Sequence, residues 1–330
     1  MNTSTEHFPA ANVIKNIGRG KKGARDMSRQ EAHDLYKAML EDRVSDLELG
    51  GILLAMRIKG ESVNEIGGFL DAAESAFTPI LSWTISDYAP IIIPSYNGAR
   101  KLANLTPLLA LLLARAGAPV LVHGVSDDPG RVTTAEIMAA MQLTPARSHE
   151  DVHAAFARGE PCFMPIEVLA PRLAYLLSLR RILGVRNSTH TLVKILQPFE
   201  GPALRLVSYT HPEYLEMLGD YFTNAAPHAR GDAFLMRGTE GETVANANRA
   251  QQIDWFHQGQ RTILVPRDAP TDDIAEAPAS RDAAATAAWI AQALRGEVPV
   301  PASIREQVAQ CLLVSKALKA NTGVHHGEQG

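Results

Sequence analysis

Residues Ile91 to Gly124 read IIIPSYNGARKLANLTPLLALLLARAGAPVLVHG. A β-branched run, a loop containing Pro94 and Gly98, a long apolar helical pattern and a second apolar run follow one another. That order specifies strand, loop, helix and parallel strand, because a right-handed crossover is the standard way to join parallel neighbours. In such a unit the loop after the first strand is where a ligand sits. The chemistry of Pro94 to Lys101 therefore bears directly on function.

Other segments arrange themselves around this unit. Val13–Ile17 opens a short helix ending in the basic, glycine-rich run Gly18 to Gly23. Ser28 with Glu31, and Ser62 with Glu65, have the capping-box spacing, and Asp46 is positioned to cap a helix between them. Leu35, Met39 and Leu40, then Leu49, Ile52, Leu53 and Met56, then Ile66, Phe69, Leu70 and Ala73 recur at helical spacing. Three or four helices thus precede residue 85. Beyond it strand and helix alternate: Ile91–Ile93, Ala103–Ala116, Val120–Val122, Thr133–Met141 and Cys162–Met164. A helical, basic stretch covers 170–196. Strand Leu204–Ser208, helix Pro212–Tyr221, strand Phe234–Arg237 and hairpin-like strands around Ile253 and Ile263 follow. Pro266–Ser280 reads as a loop, Ala283–Leu294 and Ile304–Leu318 as closing helices, and Ala320–Gly330 as a loose tail.

Composition narrows the class. The chain has 330 residues, 46% hydrophobic and 21% charged, which suits an ordinary globular protein. No apolar run reaches the roughly 18 residues of a membrane span, and the first ten residues do not read as a secretory signal. Cys162 and Cys311 are too few for a disulfide framework or zinc site and read as buried apolar residues. A cytoplasmic protein without a membrane partner is expected. The net charge of −4 hides an asymmetry. Lys15, Arg19, Lys21, Lys22, Arg25 and Arg29 crowd the first 30 residues. Arg172, Arg180, Arg181, Arg186 and Lys194 occupy 170–194 without a single acid, whereas the remainder of the chain is acidic. Such polarity favours attraction of an anion to one face.

In this order of elements the chain resembles the anthranilate phosphoribosyltransferase superfamily, glycosyl transferase family 3, a layout shared by pyrimidine nucleoside phosphorylases. The resemblance runs from about Val13 to Leu318. The strings GRGKKGARDMS, LELGGILLAMRIKGE, IPSYNGARKLANLTPLLALLL, VHGVSDDPGRV, GVRNSTHTLVKI and HPEYLEML resemble its YbiB-type branch, whose members bind DNA. The resemblance implies an α/β fold: a small N-terminal helical domain, residues 1–85 with a helical return at about 168–196, and a larger α/β domain, residues 86–167 and 197–330. The central sheet is expected to be mostly parallel and flanked by helices. A homodimer formed through the N-terminal helical domain is also implied.

The parent enzymes hold phosphoribosyl pyrophosphate on a Gly-Thr-Gly-Gly-Asp loop, where bare main chain approaches the diphosphate. The matching positions here are Pro94, Ser95, Tyr96, Asn97 and Gly98, so an N–H is lost, a bulky ring enters and the aspartate is gone. Asn104 survives. The enzymes' Lys-His-Gly-Asn becomes Val122, His123, Gly124 and Val125, and Asp127 and Asp128 follow. Their adjacent Asp-Glu pair, which holds Mg²⁺ as hard oxygen ligands should, is replaced by the separated Glu240 and Glu242. Arg186 matches an arginine of the aromatic-acid site.

Three degenerate motifs favour a non-catalytic protein that binds DNA, or alternatively RNA, through phosphate contacts without reading bases. The residues expected to carry binding are Arg19, Lys21, Lys22, Arg25, Arg100, Lys101, Arg172, Arg180, Arg181, Arg186 and Lys194. Gly18–Arg25 reads equally as a surface turn or a phosphate clamp. Ser95, Tyr96, Asn97, Asn104, His123 and Arg186 are expected to line a residual ligand cleft, with His123 structural rather than basic. No metal and no cofactor are expected. The alternative is a pentosyl- or phosphoribosyltransferase of altered specificity, which would bring Mg²⁺. A ligand sensor is a third reading.

Overall fold

The computed structural model describes residues 6–20, 22–248, 251–267 and 277–324. Lys21 and most of the loop expected at Pro266–Ser280 lie outside those residues, as does the end of the expected tail. The chain opens with α1 (Ala10–Ile17), α2 (Arg29–Leu40), α3 (Asp46–Lys59) and α4 (Val63–Ser75). Ser28 and Ser62 cap α2 and α4 in full capping boxes. Ser45, not Asp46, caps α3: its hydroxyl accepts the Glu48 N–H while the Glu48 carboxylate returns to the Ser45 N–H, leaving Asp46 as the first helical residue. A reciprocal pair satisfies two end donors, which one aspartate there would not.

The strands are β1 (Ile91–Ser95), β2 (Val120–Gly124), β3 (Cys162–Pro165), β4 (Leu204–Tyr209), β5 (Ala233–Arg237), β6 (Ile253–His257) and β7 (Gln260–Val265). They form one sheet in the order β3-β2-β1-β4-β5-β6-β7. The first five run parallel, and β6 and β7 add antiparallel. Apolar strand residues alternate between two cores. Ile92, Leu121, Met164, Val207 and Leu235 join the helical bundle in one, while Ile91, Ile93, Val122, Leu206 and Phe234 pack into the other. Burial on both faces explains why these strands read as continuous apolar runs.

Helices α5 (Thr106–Arg115) and α6 (Thr134–Ala140) follow β1 and β2. α5 starts three residues later than its apolar pattern suggests, because Asn104 Oδ1 accepts the Thr106 N–H and holds the preceding turn. Helix α7 (His149–Ala157), boxed by Ser148 and Asp151, has no counterpart in the sequence reading. The stretch 170–196 is not one helix. After α8 (Ile166–Leu169) it breaks into α9 (Pro171–Ser178), α10 (Arg180–Leu183) and α11 (Thr189–Leu192). Gly184, at φ +72, ends α10 in the left-handed conformation that glycine adopts without cost. Helix α12 (Pro212–Asn224) follows β4, α13 (Ala283–Arg295) precedes the last helix, and α14 (Ala302–Val324) extends into the segment expected to be loose.

The chain leaves β1 for β2 and β3 on one side of the sheet, then returns to β4 and β5 on the other. The carboxyl ends of β1 and β4 therefore mark a topological switch point, where open α/β sheets bind ligands.

Candidate functional site

At the end of β1 the main chain turns upward and its amides converge. The Asn97 and Gly98 N–H groups donate to a single oxygen, Oε1 of Glu242, at 2.7 and 2.6 Å. Just beyond, the N–H groups of Arg100, Lys101 and Leu102 donate to the Glu240 carboxylate, the closest at 2.6 Å. Such a run of amides is an anion-binding concavity. Here protein carboxylates occupy it.

Both acids come from the turn after β5. Thr239 and Glu242 exchange main-chain hydrogen bonds at 3.0 and 2.9 Å. The two residues between them, Glu240 and Gly241, have φ +53 and +96, the pattern of a type I′ turn. A Cβ on Gly241 would meet the Asn97 side chain at 2.7 Å, so glycine permits the approach of the two loops. The Gly241 carbonyl in turn accepts from Asn97 Nδ2, Ser208 Oγ and Lys194 Nζ. Glu240 is held below the usual carboxylate range: partial burial opposes ionisation, but three amides and Arg131 outweigh it.

Around this turn stands a wall of cations. Arg186 Nη2 donates to Asn97 Oδ1 at 2.7 Å, and Arg131 reaches the Gly98 and Glu240 carbonyls. Burial lowers the Arg186 pKa, and Arg180, Arg131 and Arg57 lower it further. Burial also pulls Lys194 down to about 8, with Arg186 and Arg131 adding to the effect and Glu242 opposing it. His190 is pushed down to about 3 by burial, Arg186 and Arg180, and so is neutral at pH 7. Among the described residues, Arg57, Arg131, Arg180, Arg186 and Lys194 form no ion pair. A cleft of about 580 Å³ opens alongside, lined by Tyr96, Asp127, Glu167, Leu177, Arg180, Arg181 and His190 among others.

The structure sorts the residues expected from sequence. Tyr96, Asn97, Arg186 and Lys194 meet at the switch point. The Tyr96 hydroxyl lies 2.7 Å from His123 Nδ1, so His123 has a phenolic partner. Its burial takes it down to about 3 and keeps it neutral. Ser95 and Asn104 both donate to Thr134 Oγ1 in the buried base of the loop, which makes them supports rather than cleft lining.

Arg172 is elsewhere. It donates to the Leu40 carbonyl and pairs with Asp42, tying α9 to the end of α2, so its charge is neutralised by an acid far away in sequence. Lys194 is half-buried within the site rather than on the basic surface. Arg181 faces Asp127 at 3.8 Å, both well exposed. Arg100 and Lys101 are exposed, and it is their main-chain amides, not their side chains, that hold an anion. Arg19, Lys22 and Arg25 are exposed on the glycine-rich segment. Of its glycines, Gly18 and Gly23 spend their N–H groups on the Ile14 and Gly20 carbonyls, which leaves those two amides unable to clamp a phosphate.

Arg57, Arg131 and His190 are not legible as site residues in the sequence, because isolated basic residues on separate elements give no pattern. Glu240 and Glu242 read there only as failed metal ligands. The signal available is the Glu-Gly-Glu spacing opposite a loop that has lost its glycines.

Mg²⁺, which the superfamily's diphosphate chemistry implies, does not fit the acids as placed. Both carboxylates are engaged by amides, and among the described residues no group of three or more His, Cys, Asp or Glu could hold a metal ion. Among the same residues no helix is long and apolar enough to cross a membrane.

Residues 11–88 match the helical bundle domain of the glycosyl transferase family. The YbiB protein of Escherichia coli strain K12, described as uncharacterized, is 45% identical over 305 residues, covering 92% of this chain and 93% of the relative. An anthranilate phosphoribosyltransferase of Methanopyrus kandleri is 27% identical over 300 residues, covering 87% and 84%. The crystal structure of anthranilate phosphoribosyltransferase from Thermus thermophilus shares the fold, with a TM-score of 0.67 at 20% identity over 93% of this chain and 89% of that one. With its helical bundle, mostly parallel sheet and transferase-like scaffold, the chain belongs to the anthranilate phosphoribosyltransferase-like superfamily of glycosyl transferase family 3.

Proposed function

We propose that the protein is a pentosyltransferase-type member of this superfamily with altered specificity, taking a phosphorylated pentose at the switch point. One observation carries the reading: Arg57, Arg131, Arg180, Arg186 and Lys194 gather near the β1 loop, and among the described residues none of them forms an ion pair. Grouped cations of this kind are costly unless an anion joins them. The kinship with proteins named anthranilate phosphoribosyltransferase also supports transfer more than it supports nucleic-acid binding. The altered loop argues that the parent's metal-bridged diphosphate is not the ligand.

Calorimetry with ribose 1-phosphate, whose phosphate would be the leaving group of a pentosyl transfer, and with phosphoribosyl pyrophosphate in the presence and absence of Mg²⁺, tests the reading. Micromolar binding of either compound that Arg186→Ala weakens tenfold or more supports it. Absence of heat with every phosphorylated pentose tried removes it.

The second reading is phosphate-backbone binding to DNA or RNA. The observation favouring it is the rim helix α10, where Arg180 and Arg181 stand exposed beside Ile182, itself 81% exposed. Arg19, Lys22, Arg25, Arg100 and Lys101 would extend that surface. Affinity for an oligonucleotide should then fall steeply with salt, and Arg180→Glu with Arg181→Glu should abolish the complex. In either reading we place a homodimer through the N-terminal helices, where Leu47 (87% exposed) and Ile58 (62%) stand out from α3.

A further inference from the structure

We propose that Glu240 and Glu242 determine specificity: they are built-in anions filling both main-chain seats beside the cleft, so that the site accepts a single phosphate group and turns away a diphosphate. The proposal rests on the phosphate reading of the cleft and goes beyond it by naming the charge class of the ligand.

The two seats are complementary to oxyanions by geometry. In the first, two successive N–H groups point at one oxygen at 2.7 and 2.6 Å, the short distances of charge-assisted hydrogen bonds. In the second, three successive N–H groups donate to one oxygen, Oε2 of Glu240, at 2.6, 2.9 and 3.3 Å, and the Lys101 N–H also reaches Oε1 at 3.0 Å. A phosphate oxygen would satisfy the same donors. Since the donors are already satisfied, a diphosphate would have to displace both carboxylates or lie against them, like charge against like. What the cleft alongside offers a ligand is Arg180 and Arg181, two cations that suit one phosphate group.

The placement of the acids is not incidental to a tight turn. A turn with two positive φ angles prefers Asn or Gly at its first central position, yet Glu240 stands there at φ +53. Glu242 is 1% exposed, and among the described residues its second oxygen, Oε2, has no hydrogen-bond partner. A buried carboxylate oxygen left without a partner is uncommon and calls for a reason beyond packing. Lys194, close enough to feel the charge of Glu242, donates to the carbonyl next to it instead. The turn therefore brings two negative charges to the amides and leaves the neighbouring lysine bonded to a carbonyl rather than paired with Glu242.

The test is calorimetry of the full chain with inorganic phosphate and with inorganic pyrophosphate, comparing wild type, Glu242→Ala and the double variant Glu240→Ala/Glu242→Ala. Hydrogen exchange at Asn97 to Leu102 reports whether the seats have opened in a folded protein. The expected result is that wild type prefers phosphate, and that the pyrophosphate-to-phosphate affinity ratio rises tenfold or more in the double variant. A wild type that binds neither anion detectably overturns the single-phosphate preference, even if the variant gains pyrophosphate. An unchanged ratio in a folded variant whose 97–102 amides exchange faster overturns the specificity role while leaving the phosphate reading intact. If no variant binds either anion, both fall together. Should the alanine variants fail to fold, Glu240→Gln/Glu242→Gln removes the charge while Oε1 can still accept the amides, and the pyrophosphate-to-phosphate ratio should rise by a smaller factor; an unchanged ratio overturns the role of the charge.

Discussion

The carboxylate of Glu242 lies 2.7 Å from the main-chain nitrogen of Asn97, a residue 145 positions away in the chain. This contact joins the loop after β1 to the turn after β5, and the Gly98 amide shares the same oxygen. Removing the carboxylate leaves two buried N–H groups without an acceptor. Glu242→Ala should therefore destabilise the fold by about 1–3 kcal/mol. Glu240→Ala, whose carboxylate is only half-buried, should cost no more than about 1 kcal/mol because water can replace it. Urea unfolding of the two variants checks the order; equal losses would mean that the two seats are equally accessible to water.

Two histidines make the fold sensitive to acid. His123, bonded to Tyr96, and His190 both have folded pKa values of about 3, below the usual histidine range. Between pH 6.5 and 3 the unfolded chain binds these protons and the folded chain does not, so stability falls as pH drops through that window. Each histidine contributes a slope of at most about 1.4 kcal/mol per pH unit. His123→Asn keeps a hydrogen-bonding atom for Tyr96 and removes one titration. Its stability should fall less steeply between about pH 6.5 and 4.5 than that of wild type. Parallel curves would show that His123 becomes protonated in place.

Among the arginines of 172–186, structure and binding separate. Arg172 joins α9 to Leu40 and Asp42, so Arg172→Ala should cost about 1–2 kcal/mol of stability. Its anion affinity should be unchanged. Arg180→Ala with Arg181→Ala removes exposed side chains and should alter stability by no more than about 0.5 kcal/mol, while weakening anion binding several-fold. Melting temperature and calorimetry on both variants decide it, and a stability loss in the second pair would place those arginines in the fold instead.

What is legible in the sequence is mainly local. The Ser28–Glu31 and Ser62–Glu65 boxes lie within four residues, and the apolar runs of β1 and β2 sit inside one crossover unit, so spacing alone exposes them. Helix α7 is hidden because it buries only Val152, Ala155 and Phe156, too few positions to set a period. The basic stretch 170–194 reads as unneutralised because its partners, Asp42 and Asp127, are far away in the chain. At the site the degenerate loop is legible as a loss. That Glu240 and Glu242 fill the vacated amides is not, since no local rule links positions 97–102 with 240–242.

Lys194 gives the site its pH dependence. Burial takes its folded pKa to about 8, against an ordinary lysine value of 10.5. Between these values the unfolded chain carries the proton and the folded chain does not, so stability rises with pH across that window. Below pH 8 both states are charged and the cost of burying the ammonium is present in full. Lys194→Met should therefore be more stable than wild type at pH 7, by about 1–3 kcal/mol, and the advantage should shrink as pH climbs toward about 10. Binding runs the other way. An anion beside Lys194 favours the charged form, so phosphate affinity should decline above about pH 8, by up to about tenfold per pH unit if the bound state always keeps the proton. In Lys194→Met that decline should vanish, leaving a weaker affinity that is flat with pH. A variant that retains the wild-type decline would assign the titration to another group and remove Lys194 from the anion site.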